Sequence, residues 1–113
     1  MPDRELKHCL EEIEDAISAI RFYTKGVTQE QLLADRKARD AIALNLLVIG
    51  RGVQQLPREM TSRYPGVPWN DLAGLRDTAA TGSFRVHPAV VWETIQRELG
   101  PLLAAVQGML MEK

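Results

Sequence analysis

Residues Gly74 to Trp92 read GLRDTAATGSFRVHPAVVW, and they gather a guanidinium at Arg76, a carboxylate at Asp77, hydroxyls at Thr81 and Ser83, a second guanidinium at Arg85 and an imidazole at His87. An arginine stays charged at any physiological pH and can fork its donors onto an anion. An imidazole exchanges protons near neutrality, whereas a threonine or serine hydroxyl neither accepts nor releases one readily there. His87 is therefore the nearby side chain able to act as a base, yet eleven positions separate it from Arg76. Each residue also has a plain structural reading. Arg76 suits a helix end, paired with Asp77 or a backbone carbonyl, and His87 suits the N-cap region ahead of Pro88. Arg51 and Arg85 can extend a local basic groove, or can simply be solvated.

Other chemistries find no footing. The chain has no Gly-rich phosphate loop, no zinc-ligand spacing and no Gly-x-Ser-x-Gly elbow. Cys9 is the one cysteine, so an intrachain disulfide is excluded; beside Leu6, Leu10 and Ile13 it reads as a small core hydrophobe. His8 reads as a surface histidine. Glu11, Glu12, Glu14 and Asp15 read as a solvated face, because the other long helices supply no inward histidine or carboxylate to build a di-metal site. The run RKAR (Arg36 to Arg39) is too short to support a helix-turn-helix reading. With a formal net charge of −1, the chain can hold nucleic acid only through a local patch.

The elements that must position these residues are helical. Leu6, Leu10, Ile13, Ile17 and Ile20 fall on one stripe of a helix over about Arg4 to Tyr23, stopped near Lys25-Gly26. Thr28 and Gln31 form a capping-box pair that opens a short helix through Leu33. A second long helix spans about Arg36 to Leu56, with Ala38, Ala41, Ile42, Asn45, Val48, Ile49, Gly52, Val53 and Leu56 at helical spacing on its apolar side. Asn45 there sits on the apolar side, and Gly52 costs roughly 1 kcal/mol of propensity while letting a neighbour come close. Pro57 starts a break, and RYPGVPW (Arg63 to Trp69) reads as a loop. A short helix is predicted from Trp69 to about Ala79, and a last long one from Pro88, with a kink or break near Glu98 to Gly100 caused by Pro101.

No stretch alternates as a strand does. The 113 residues are expected to form one domain, an all-α antiparallel bundle of three long and two short helices. No apolar run approaches the roughly 20 residues of a membrane span, and MPDRELKHCLEE is too charged for a signal peptide, so a cytoplasmic protein is expected.

The order of features resembles the HepT-like HEPN family of prokaryotes along nearly the whole chain. Asp40, Ala41, Asn45, Leu46, Ile49 and Gly50 match its D-A-x-x-x-N-L-x-x-I-G helix. Pro68-Trp69, Gly74-Leu75-Arg76, Gly82, Phe84, Val86, Val91-Trp92 and Ile95 continue the pattern in order. The resemblance implies a helical bundle that pairs as a homodimer and lines one RNA groove. It also implies a toxin–antitoxin module in which a minimal nucleotidyltransferase is the antitoxin partner. The implied activity is a metal-independent RNase that needs no cofactor. The family's motif is an arginine, four to six residues, a histidine, and a tyrosine two residues later. Its arginine stabilises charge building on the phosphate, its histidine moves a proton during attack by the RNA 2′-hydroxyl, and the partner can block the site by adding AMP to the tyrosine.

Arg76 matches that arginine, with Asp77 where an asparagine is usual and Asn45 as a core amide that would help orient it. The match then fails, since Thr81 stands at the histidine position, Ser83 at the tyrosine and Arg51 at a usual glutamate. His87 falls where the family has an aspartate. Loss of the base implies RNase activity that is weak or lost. Two alternatives are an active RNase using His87 as a relocated base, and a non-catalytic subunit that presents substrate to the nucleotidyltransferase. Trp69 and Trp92 read as core or dimer anchors rather than stacking platforms.

Overall fold

Helix α1 (Asp3–Thr24) forms where the apolar spacing predicts it and buries Cys9, Leu10, Ile13, Ala16, Ile17 and Ile20 on one face. It stops at Gly26, whose φ of 71° lies in the left-handed region that favours glycine. The computed structural model describes residues 2–80 and 86–112, and the regular structure among them is entirely helical. Helix α2 (Gln29–Ala34) begins with the expected capping box: the Gln31 amide donates to the Thr28 hydroxyl at 3.1 Å, and the Thr28 amide donates to the Gln31 side chain at 2.9 Å. Helix α3 (Arg36–Gln55) is opened by Asp35, whose carboxylate accepts from the Ala38 amide at 3.2 Å. Helices α4 (Arg58–Thr61), α5 (Trp69–Ala73) and α6 (Leu75–Ala80) are short, and α7 (Pro88–Met111) closes the bundle with Pro88 in its first turn.

Helix α1 lies between α3 and α7. Gln107 on α7 donates to Glu14 at 3.3 Å, and Gly100 lies beside the Arg21 guanidinium, so α1 and α7 run antiparallel. Against α3, a Cβ at Gly52 would come within 2.7 Å of Ile13 Cγ1, so the glycine is what allows the two helices to approach. Cys9 donates its thiol to the Gly52 carbonyl at 3.4 Å. Burial, and next the charge of Glu12, push the Cys9 thiol above its ordinary value, as suits a small core residue.

Three expectations are corrected. Four short helices, not two, lie among the described residues, because α4 follows Pro57 and the predicted Trp69–Ala79 helix is divided at Gly74. Glycine's poor propensity lets the chain turn there while Leu72 and Leu75 on either side both stay buried. Of the kink or break expected at Pro101, the break does not occur: α7 runs as one helix to Met111. The ring removes the bond to the Arg97 carbonyl, but Pro101 and Arg97 are both exposed, and fully buried Leu99 and Leu102 hold the chain on either side. Helix α3 also buries Leu46 and Gly50, outside the single stripe read from sequence, because α5 and α6 cover a second side of it. No helix among the described residues is long and apolar enough to cross a membrane.

Candidate functional site

The seat of Arg76 is built by a glycine. Where α6 crosses α3, a Cβ at Gly50 would lie 2.3 Å from the backbone nitrogen of Arg76 and 3.0 Å from its Cα. Backbone cannot yield to a methyl group as a flexible side chain can, so α6 reaches this position only over a residue without a Cβ. One turn further along α3, Gln54 faces the same way. Its amide nitrogen donates to the Ala73 carbonyl at 3.3 Å, and its amide oxygen accepts from Arg76 Nη1 at 3.3 Å. The first bond orients the amide so that the second can form. Arg76 is exposed, and no carboxylate pairs with it among the described residues. Its charge is therefore held by a neutral partner and remains available to an anion.

Gln54 was missed by sequence reasoning, because only the close approach of α6 over Gly50 brings this exposed amide to Arg76. The structure places Asn45 elsewhere. Its amide donates to the Ala41 carbonyl of its own helix at 2.8 Å, half-buried. Five residues separate it from Gly50, which puts it about 140° around the helix from the Arg76 seat. Arg51 is exposed beside Gly50, and Asp77 is exposed in the first turn of α6. His87 is the N-cap residue of α7, exposed; its carbonyl accepts from the Val91 amide at 3.2 Å while its imidazole makes no cap bond. Thr81, Ser83 and Arg85 lie outside the described residues. Trp69 is half-buried, with its indole nitrogen donating to the Tyr64 carbonyl at 3.0 Å, and Trp92 packs half-buried on the core.

A cleft of about 400 Å³ runs between α5–α6 and α7, with Asp71 and Thr78 on one wall and Thr94 and Glu98 on the other. Desolvation, then the charges of Asp71 and Glu93, push the Glu98 carboxyl above its ordinary value. No group of three metal-ligating side chains occurs among the described residues. What the arrangement offers is a positioned cation on an open surface, able to stabilise an anionic phosphate oxygen.

Fold and site together define an all-helical protein whose surface arginine is fixed by the backbone of a neighbouring long helix. The chain belongs to the HepT-like ribonuclease family, whose model ("Ribonuclease HepT-like") matches residues 13–109. It is similar to a "Putative RNase" of Caldanaerobacter subterraneus subsp. tengcongensis, 32% identical over 112 residues, which is 99% of this chain and 96% of that protein. It is similar also to a "Probable ribonuclease HepT" of Thermococcus cleftensis, 30% identical over 88% of this chain and 90% of that protein. A "Putative RNase" of Methanocaldococcus jannaschii is 32% identical over 88% of this chain and 82% of its own length. No solved structure matches the chain.

Proposed function

We propose that this chain is the HepT-like subunit of a toxin–antitoxin module, a homodimer that pairs with a minimal nucleotidyltransferase and grips RNA through Arg76 while cutting it slowly or not at all. The observation that carries this reading is the held but uncompensated guanidinium: Gly50 seats its backbone, Gln54 holds its side chain, and no acid neutralises it among the described residues. A phosphodiester placed against it gains charge stabilisation, both at rest and as negative charge builds on its oxygens. Cleavage needs in addition a group that takes the proton from the 2′-hydroxyl. The motif position for that group holds Thr81, whose hydroxyl does not titrate near neutrality. Absence of a general base lowers the rate by about 10²–10⁴-fold. Ser83 replaces the tyrosine that would accept AMP, with a hydroxyl of shorter reach.

A second reading, an active RNase with His87 as relocated base, is favoured by one observation. The His87 imidazole is exposed and is not used to cap α7. One cleavage panel separates the two. In the proposed reading Thr81→His raises the cleavage rate above the parent and His87→Ala leaves the parent's low rate unchanged. A parent that cuts RNA rapidly, and loses this on His87→Ala with helicity intact, establishes the second reading instead.

A further inference from the structure

A second groove, of about 540 Å³, lies where α4 and the loop 62–68 meet the start of α5. Arg58 of α4, Pro65 and Pro68 of the loop, and Trp69, Asn70 and Asp71 line it. Arg58 is exposed, and its guanidinium has no ion pair among the described residues. An aromatic ring and proline rings beside a free guanidinium suit a single-stranded nucleic acid, whose bases stack and whose phosphates seek cations.

The walls of this groove are tied in place. The Tyr64 carbonyl accepts from the Trp69 indole nitrogen at 3.0 Å and from the Val67 amide at 3.2 Å, which closes the loop on itself. Tyr64 also donates its hydroxyl to Glu112 at 2.7 Å, and its ring lies against α7 at Gly108, where a Cβ would come within 2.7 Å of the phenol oxygen. Trp69 thus packs on the core with part of its ring and gives the rest to the groove. A surface held this way loses little freedom when a ligand arrives.

The groove is continuous with the seat of Arg76. Gln54 accepts from Arg76 at 3.3 Å and donates to the Ala73 carbonyl at 3.3 Å. Asn70 lies about one turn before Ala73 on α5, and Arg58 follows Gln54 by four residues. A helical turn advances about 5.4 Å. One or two nucleotides of a strand cover that step, at about 3.4 Å each.

We propose that this groove holds a nucleotide of single-stranded RNA neighbouring the phosphate at Arg76, with its phosphate on Arg58, its base against Trp69 and the two prolines, and the base edge toward Asn70 and Asp71. Asp71 sets the direction. Its carboxylate repels a phosphate, which leaves the Arg58 end for that group. It accepts from an exocyclic amino group, which cytosine carries and uracil lacks. The assignment rests on the reading that Arg76 grips RNA, and adds to it a second phosphate contact and a base preference.

The test is the affinity of the full chain for short oligocytidylate and oligouridylate over a series of salt concentrations. Arg58→Ala should weaken binding of both about tenfold at low salt, with helicity unchanged, and flatten the dependence of log affinity on log salt by about 0.7. Oligocytidylate should bind several-fold more tightly than oligouridylate, and Asp71→Ala should remove that difference. In Trp92→Phe, where Trp69 is the one tryptophan left, saturating RNA should quench the indole fluorescence. Affinity and slope unchanged in Arg58→Ala, or fluorescence unmoved at saturation, overturns the groove; equal affinity for the two oligomers overturns the placement of the base edge. If Arg58→Ala binds RNA as the parent does but loosens a complex with the nucleotidyltransferase, the groove is a protein contact and the proposal fails. Arg76→Ala keeps the two readings apart: if it alone binds RNA as the parent does, the functional proposal fails, and the Arg58 and Trp69 results still decide the groove.

Discussion

A guanidinium that rests on a neutral amide keeps its charge for a ligand, and at Arg76 that arrangement depends on two α3 residues rather than on the motif segment itself. Gly50→Ala should destabilise the fold by about 1–3 kcal/mol in urea unfolding, because a methyl group cannot fit 2.3 Å from the Arg76 nitrogen. The same substitution should weaken RNA binding by displacing Arg76. Native-like stability with native-like affinity would show that α6 can move without consequence. Arg76 was legible in the sequence, from an ordered pattern that fixes its place in the chain. Its holder was not. Gln54 is a surface amide by every local measure, and only the depth at which α6 lies over Gly50 brings it to the guanidinium. Asn45 illustrates the reverse: its pattern match is good, but five residues turn it to a different side of α3.

Among the elements, the helices with a local cause were legible and those decided by packing were not. Thr28 and Gln31 announce α2 through a contact only three residues long, and Thr28→Ala should lower stability by about 1 kcal/mol in thermal melts, with the rest of the bundle intact. The persistence of α7 through Pro101 could not be read locally, because it depends on Leu99 and Leu102 being held in the core. The second buried side of α3 was hidden for the same reason, since a periodicity shows one neighbour more readily than two. On α7, Glu98 faces Asp71 of α5 across the cleft. A carboxyl raised on folding favours the fold fully below its unfolded value near 4.5, and that stability is lost as pH rises through the folded value. Glu98→Gln should therefore melt higher than the parent at pH 7 and lose this advantage near pH 4. Equal melting temperatures at both pH values would contradict the desolvation and like-charge crowding of Glu98 in that cleft.

For the whole molecule, the class of fold followed from periodicity alone, while the number of short helices and the way they cover α3 did not. The proposed function adds partners to this bundle. Co-expression with a minimal nucleotidyltransferase from the same module should yield a complex stable through gel filtration, and separate elution at micromolar concentrations would remove that part. The claim on which the proposed function depends is that Arg76 holds a phosphate. Its most direct measurement is the affinity for a labelled single-stranded RNA over a series of salt concentrations, parent against Arg76→Ala. Loss of the contact should weaken binding about tenfold or more at low salt and flatten the dependence of log affinity on log salt by about 0.7 for each phosphate released. Curves for the two proteins that coincide in both affinity and slope would contradict it.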